Sequence, residues 1–146
     1  MAPRRVGVVA LILRGDRILF ICRADATPQP GVWAPPSGEL EAGESQEAAV
    51  VREVREEVGL DVKPLRCVRE SLSVSGSHRL YWWLAEPIGG TLVLDPYEAS
   101  DARWVTAQDF AGLSPTFPGD RHFFGHLWAK NAGGELLIER RARRHP

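Results

Sequence analysis

Cysteine is scarce in this chain: Cys22 and Cys67 are the only two in 146 residues. Two isolated thiols build neither a disulfide framework nor a zinc-ligand spacing, and they point to a reducing cytoplasm. Each is expected to act as a small buried hydrophobe. Lysine is almost absent, with Lys63 and Lys130 the only two among 18 basic residues. The formal net charge is −1, so no overall field draws the chain to nucleic acid or to a membrane surface. No stretch approaches the ~20 apolar residues of a membrane helix. Arg4-Arg5 and the apolar run 6–13 faintly resemble a secretory leader, but the run ends at Arg14-Gly15-Asp16 without a small-x-small cleavage site. Internal repeats and low-complexity tracts are also lacking. A length of 146 residues fits one domain, 1–146, with a single core.

What the chain does have is acid concentrated in one place. Residues 38–60 read GELEAGESQEAAVVREVREEVGL. Ser45 suits the N-cap of a helix running to about Val58, and Gly59 suits a left-handed stop. At roughly 100° per residue, Glu53, Glu56 and Glu57 share about a third of the helix circumference. Val51, Val54 and Val58 form a second stripe roughly 140° away. Such a helix buries valines and aims three carboxylates at one point. Arg52 lies four before Glu56 and beside Glu53, so it orients one acid without neutralising three. Clustered carboxylate oxygens suit a hard divalent cation such as Mg²⁺. The plain alternative is a solvated acidic helix face.

The spacing resolves that choice. Gly38, five residues, Glu44, seven residues, then Arg52-Glu53-Val54-Arg55-Glu56-Glu57-Val58-Gly59-Leu60 resembles the Nudix box at every specified position. The box covers about a sixth of the chain. One departure is visible: relatives often carry Gly-Gly where this chain has Ser37-Gly38. The resemblance implies an α/β/α sandwich with a mixed β-sheet. It implies hydrolysis of a nucleoside diphosphate linked to another moiety, with Mg²⁺ as cofactor and Mn²⁺ as a substitute. It places Glu53, Glu56, Glu57 and the Gly38 carbonyl at the metal. Arg52 is expected to fix a box acid, and Glu53 or a nearby loop acid to take a proton. In the family, a loop before an Arg-Trp-Val-like strand often adds one more acid. Glu98 fits that position, with Asp101 as competitor. Glu44 supports either the loop or the metal shell, and Arg79 and Arg23 are candidates for gripping an outer phosphate.

Substrate choice lies outside the box. Neither the coenzyme-A-type signature nor the proline about fifteen residues beyond the box, a mark of ADP-ribose enzymes, is evident. A (deoxy)nucleoside di- or triphosphate is therefore expected first and a nucleoside diphosphate sugar second. The competing class is a nucleotide-sensing module without hydrolysis, but such modules usually lose box acids and this chain keeps them. The implied partner is a small nucleotide rather than nucleic acid or membrane, and many relatives are homodimers.

The remaining chain is expected to organise as follows. Residues 6–13 and 18–22 form a hairpin, and 24–31 form a loop. Trp33 suits the core better than base stacking. Pro35-Pro36 force an extended entry to the box, where Glu39 and Glu41 are solvated charges. Residues 61–74 read as a strand, with Pro64 marking an edge or an early break. Residues 79–85 are a second strand with Tyr81 and Trp83 on one face and Leu80, Trp82 and Leu84 on the other. Gly89-Gly90 is a turn, 91–94 a strand, 95–101 a polar loop, 103–106 a strand and 107–113 a short helix. Asp120 caps a helix over 121–131, on which His122 and His126 are partly exposed. Gly133-Gly134 ends it, and 135–144 form a strand or helix ending in Arg140, Arg141, Arg143 and Arg144, a solvated basic tail.

Overall fold

The structure is a computed structural model describing residues 5–132. The expectations for 133–144 lie outside these residues.

The first two strands, β1 (Arg5–Arg14) and β2 (Arg17–Arg23), are joined by a turn at Gly15, which takes φ 62°, where glycine is tolerated best. Their ladder holds Leu13 to Ile18 and Arg14 to Arg17, and beyond it the strands diverge. The segment 33–39 crosses the resulting fork. Its first part, β3 (Trp33–Ala34), pairs with β2, and its last part, β4 (Ser37–Glu39), pairs with β1. Pro35 and Pro36 sit at the crossing, where the missing N–H groups cost no ladder bond. The Pro36 carbonyl accepts from Ala10 N at 2.8 Å. Thus the expected extended entry contains two short strands, and Gly38 is fixed opposite Val8.

Helix α1 (Gln46–Val58) follows, then β5 (Leu60–Leu72) and β6 (His78–Gly90). β6 lies parallel to β1 from Arg5–His78 to Ile12–Ala85, and β5 runs antiparallel outside it. β5 is an outer strand with three register shifts, consistent with Pro64. β7 (Ala99–Val105) pairs antiparallel with β2. Helices α2 (Ala107–Ala111) and α3 (Asp120–Ala132) complete the described chain.

Alternation along the strands divides the core in two. Val8, Ala10, Ile12, Leu19 and Ile21 meet Ala49, Val50, Val54 and Val58 of α1. Val9, Leu11, Ile18, Phe20, Trp33, Trp82 and Leu84 meet Phe110, Phe124, Leu127 and Trp128 on the other face. Each fully buried large apolar side chain contributes about 1.5–3 kcal/mol. The result is the expected α/β/α sandwich around a mixed sheet.

Several boundaries differ from expectation. Gly89-Gly90 end β6 instead of turning. Residues 91–94 are no strand: Val93 N and Asp95 N donate to Val58 O and Glu57 O, satisfying carbonyls at the end of α1. The strand expected from 103 begins at Ala99, so Asp101 belongs to β7 rather than to a loop. Asp120, expected as the cap, is the first residue of α3 and is buried against Arg69. Neither cysteine is buried in the core: Cys22 is half-buried, and Cys67 is exposed on outer strand β5.

Candidate active site

Ser45 accepts from Ala48 N at 3.1 Å and starts α1, while Gly59, at φ 77°, ends it. The buried face of α1 comprises Ala49, Val50, Val54, Glu57 and Val58. Val50 therefore takes the core position expected of Val51, which is half-buried. This small rotation separates the three glutamates. Glu57 is 3% exposed, the Glu53 side chain 16% and the Glu56 side chain 57%.

Arg52 organises the N-terminal side of the site. Its Nε donates to Glu44 Oε2 at 2.8 Å and its Nη2 to Glu44 Oε1 at 2.9 Å. This paired geometry is the one in which a guanidinium binds a carboxylate most firmly. Nη1 donates to Glu53 Oε1 at 2.7 Å and Glu56 Oε2 at 3.2 Å, and Nη2 also donates to Glu39 O at 2.9 Å. Arg52 thus orients three acids where one was expected. Glu44 in turn accepts from Glu41 N at 3.0 Å, so its place is supporting the loop. These bonds hold the Glu44 carboxyl down at about 2.

Glu53 and Glu57 behave differently. Burial raises the Glu53 carboxyl, and Arg52 partly opposes this. Glu57 is pushed well above the usual carboxylate range, first by burial, then by the charges of Glu53 and Glu98. Arg23 and the Ser37 backbone N–H oppose that rise. Glu57 Oε2 is buried without a hydrogen-bond partner, an arrangement that carries a desolvation cost of about 1–3 kcal/mol or more. Across from it, a Cβ on Gly38 would overlap the Glu53 carboxylate. The bare glycine leaves the carboxylate its place against β4.

Glu98 sits on an exposed turn. Asp95 is the turn-former, as expected: its Oδ1 accepts from Tyr97 N at 3.0 Å, and its carbonyl accepts from Glu98 N and Ala99 N. Asp101 is tied to its own strand through Ala102 N at 2.8 Å and Arg103 at 3.6 Å. Arg79 pairs with Glu70 at 2.6 Å. Trp33 is buried in the core. His122 and His126 are exposed neighbours on α3.

With these side-chain positions, no three His, Cys, Asp or Glu residues among those described stand together as a metal-binding group. Glu53 and Glu56 are turned toward Arg52. The local chemistry nevertheless fits a divalent ion. The donors are carboxylate and carbonyl oxygens, which suit a hard cation. One is a buried oxygen without a partner, and another lies where a glycine is required.

The two cores define an α/β/α sandwich with the acidic helix α1 packed against its sheet. A NUDIX domain matches residues 3–127, and the chain belongs to that family. The NAD-capped RNA hydrolase NudC of Stutzerimonas stutzeri (strain A1501) is 38% identical over 108 residues, 73% of this chain and 38% of that protein. The chain spans about two-fifths of the length of such curated relatives. An ADP-ribose pyrophosphatase from Streptococcus suis 89-1591 is 27% identical with a TM-score of 0.63, covering 77% of this chain and 79% of that one. The MutT protein from Methanosarcina mazei Go1 is 23% identical with a TM-score of 0.74, covering 89% and 96%, and it shows the shared fold.

Arg23, named with Arg79 only as a candidate phosphate-gripping cation, lies close enough to Glu57 for the two charges to act on each other, a nearness that only the fold supplies.

Proposed function

We propose that this chain hydrolyses a phosphoanhydride bond in a nucleoside diphosphate linked to another moiety, using a divalent cation. The observation that carries this reading is the buried, unpartnered Glu57 oxygen beside Glu53 in the Gly38 cradle. Mg²⁺, with Mn²⁺ as substitute, would be held by Glu53, Glu56, Glu57, Glu98 and the Gly38 carbonyl. Bound there, the ion supplies neutralisation of phosphate charge and activation of water. The remaining work belongs to the chain. Arg52 holds Glu53 through Oε1 and sets its rotamer. Glu53 Oε2, or Glu98 on its turn, accepts the proton of the attacking water.

The first substrate class is a (deoxy)nucleoside di- or triphosphate. A second reading is a diphosphate flanked by a second sugar, as in a nucleoside diphosphate sugar or dinucleotide. Its support is the pair of similar proteins named as an NAD-capped RNA hydrolase and an ADP-ribose pyrophosphatase. Release of phosphate, pyrophosphate or nucleoside monophosphate across a panel of both classes separates the two. A protein that binds these compounds in the presence of Mg²⁺ and cleaves none is the sensing module instead.

We take residues 1–146 as one domain acting in the cytoplasm on a small nucleotide. No helix among the described residues is long and apolar enough to cross a membrane. A homodimer is the proposed assembly, checked by sedimentation.

A further inference from the structure

Helix α3 packs one face onto the sheet and turns the other to solvent. Phe124, Leu127 and Trp128 enter the core. The opposite face carries His122, Gly125, His126 and Ala129, all exposed. Spaced i, i+3, i+4 and i+7, they form one stripe along the helix. Two of them are histidines one turn apart, and the hydrolysis described above uses neither. α3 and α1 lie on opposite faces of the sheet, so the sheet separates this stripe from the box acids.

The two rings meet, with centres 4.6 Å apart and planes at 78°. With metal–nitrogen bonds of about 2.0–2.1 Å, two imidazoles at right angles around one ion put their ring centres roughly 4.5 Å apart. The side chains therefore already stand at a chelating separation. Among the described residues neither ring has a hydrogen-bond or ion-pair partner, so their nitrogens are open to a ligand. The stripe also leaves room for an ion and its waters, since a side chain on Gly125 would meet nothing within 4 Å. Arg121, the cation beside His122, is drawn toward α2, where it donates to the carbonyls of Phe110, Ala111 and Leu113. A glycine inside a helix weakens it, and a ligand joining residues 122 and 126 spans that weak point.

We propose that His122 and His126 form a two-nitrogen site for a borderline first-row cation such as Ni²⁺, Cu²⁺ or Zn²⁺, separate from the carboxylate site. Such ions take neutral imidazole readily, whereas Mg²⁺ takes oxygen. The two faces of the sheet thus sort cations by ligand chemistry. Two protein nitrogens hold the ion, and water fills its remaining positions. The helix sets the spacing of the pair, and unfolding loses it. Binding therefore clamps α3 across Gly125 and stabilises the folded chain.

The test is calorimetric titration of the untagged full chain with Ni²⁺ in excess Mg²⁺, with thermal melting followed alongside. Wild type should bind Ni²⁺ and melt at a higher temperature as Ni²⁺ is raised. His122→Gln and His126→Gln should each bind it at least about tenfold more weakly, because the second, intramolecular bond is lost. Both changes are on an exposed face, so the metal-free variants should melt with wild type. Lys130→His added to His122→Gln rebuilds the spacing one turn on and should restore binding. Glu57→Gln, altered only in the carboxylate site, should bind Ni²⁺ as wild type does. Absence of Ni²⁺ binding by wild type, wild-type affinity in the single histidine variants, or failure of the Lys130→His rescue overturns the proposal. Loss of Ni²⁺ binding in Glu57→Gln overturns it too, since the ion then sits in the carboxylate site.

Discussion

Gly38 and Glu53 are in contact across the β4–α1 boundary, with the Glu53 carboxylate lying where a side chain on residue 38 would begin. The relation ties a backbone position to a proposed catalytic acid. Gly38→Ala should displace that carboxylate while leaving the sheet intact, because the far end of a flexible side chain is what must move. Misplacing a reacting group by about 1 Å costs on the order of a hundredfold. The expected outcome is kcat reduced about ten- to a hundredfold with a melting temperature within a few degrees of wild type. Wild-type kcat contradicts the positional role.

Glu56→Gln and Glu57→Gln should each lower kcat at least about a hundredfold by removing charge at the phosphates. Their stabilities should part. Metal-free Glu57→Gln should gain stability, since a buried charge repelled by Glu53 and Glu98 disappears. Glu56→Gln should match wild type, because the Glu56 side chain is 57% exposed. Unfolding of Glu57→Gln under conditions where Glu56→Gln folds would make Glu57 structural.

Arg52 holds Glu44 at about 2, below its ordinary 4.5. A carboxyl depressed in the folded state adds stability above the unfolded value and loses it as pH falls through the folded one. Urea unfolding should therefore show wild type more stable than Glu44→Gln at pH 7, with the gap closing between about 4.5 and about 2. A gap independent of pH in that window rules out the ionic tie.

The box made much of this site legible beforehand. Ser45 and Gly59 bounded α1 at the expected ends, and the alternation read along β6 put Leu80, Trp82 and Leu84 on one core and Trp83 on the other. What escaped was set by tertiary contacts. Val50 and Val51 are both apolar and one step apart, so periodicity alone does not decide which faces the sheet. Residues 91–94 carry the β-branched pattern of a strand, yet the N–H of Val93, like that of Asp95, serves the end of α1. Cys67 was expected in the core because a lone free cysteine usually behaves as a small buried hydrophobe, but β5 is an outer strand with a register shift beside it. The nearness of Arg23 to Glu57 and Glu98 is likewise set by the fold, since both acids are distant from it in sequence.

Glu98 and Asp101 are separated by their backbones: Glu98 stands on a turn, whereas Asp101 is paired within β7 and bonded to Ala102 N. Glu98→Gln should weaken activation by Mg²⁺ and lower turnover, though less than Glu57→Gln does. Asp101→Asn should keep wild-type rate and metal dependence. The reverse pattern in a metal titration of the two variants makes Asp101 the ligand.

Metal-centred hydrolysis is tested most directly by turnover in excess chelator. Purified protein is assayed against a panel of nucleoside di- and triphosphates, nucleoside diphosphate sugars and dinucleotides, with product release followed before and after chelation. Turnover should vanish with chelator and return when Mg²⁺ or Mn²⁺ is added in excess. Undiminished hydrolysis in excess chelator contradicts a mechanism built on the Glu53, Glu56 and Glu57 carboxylates as ligands.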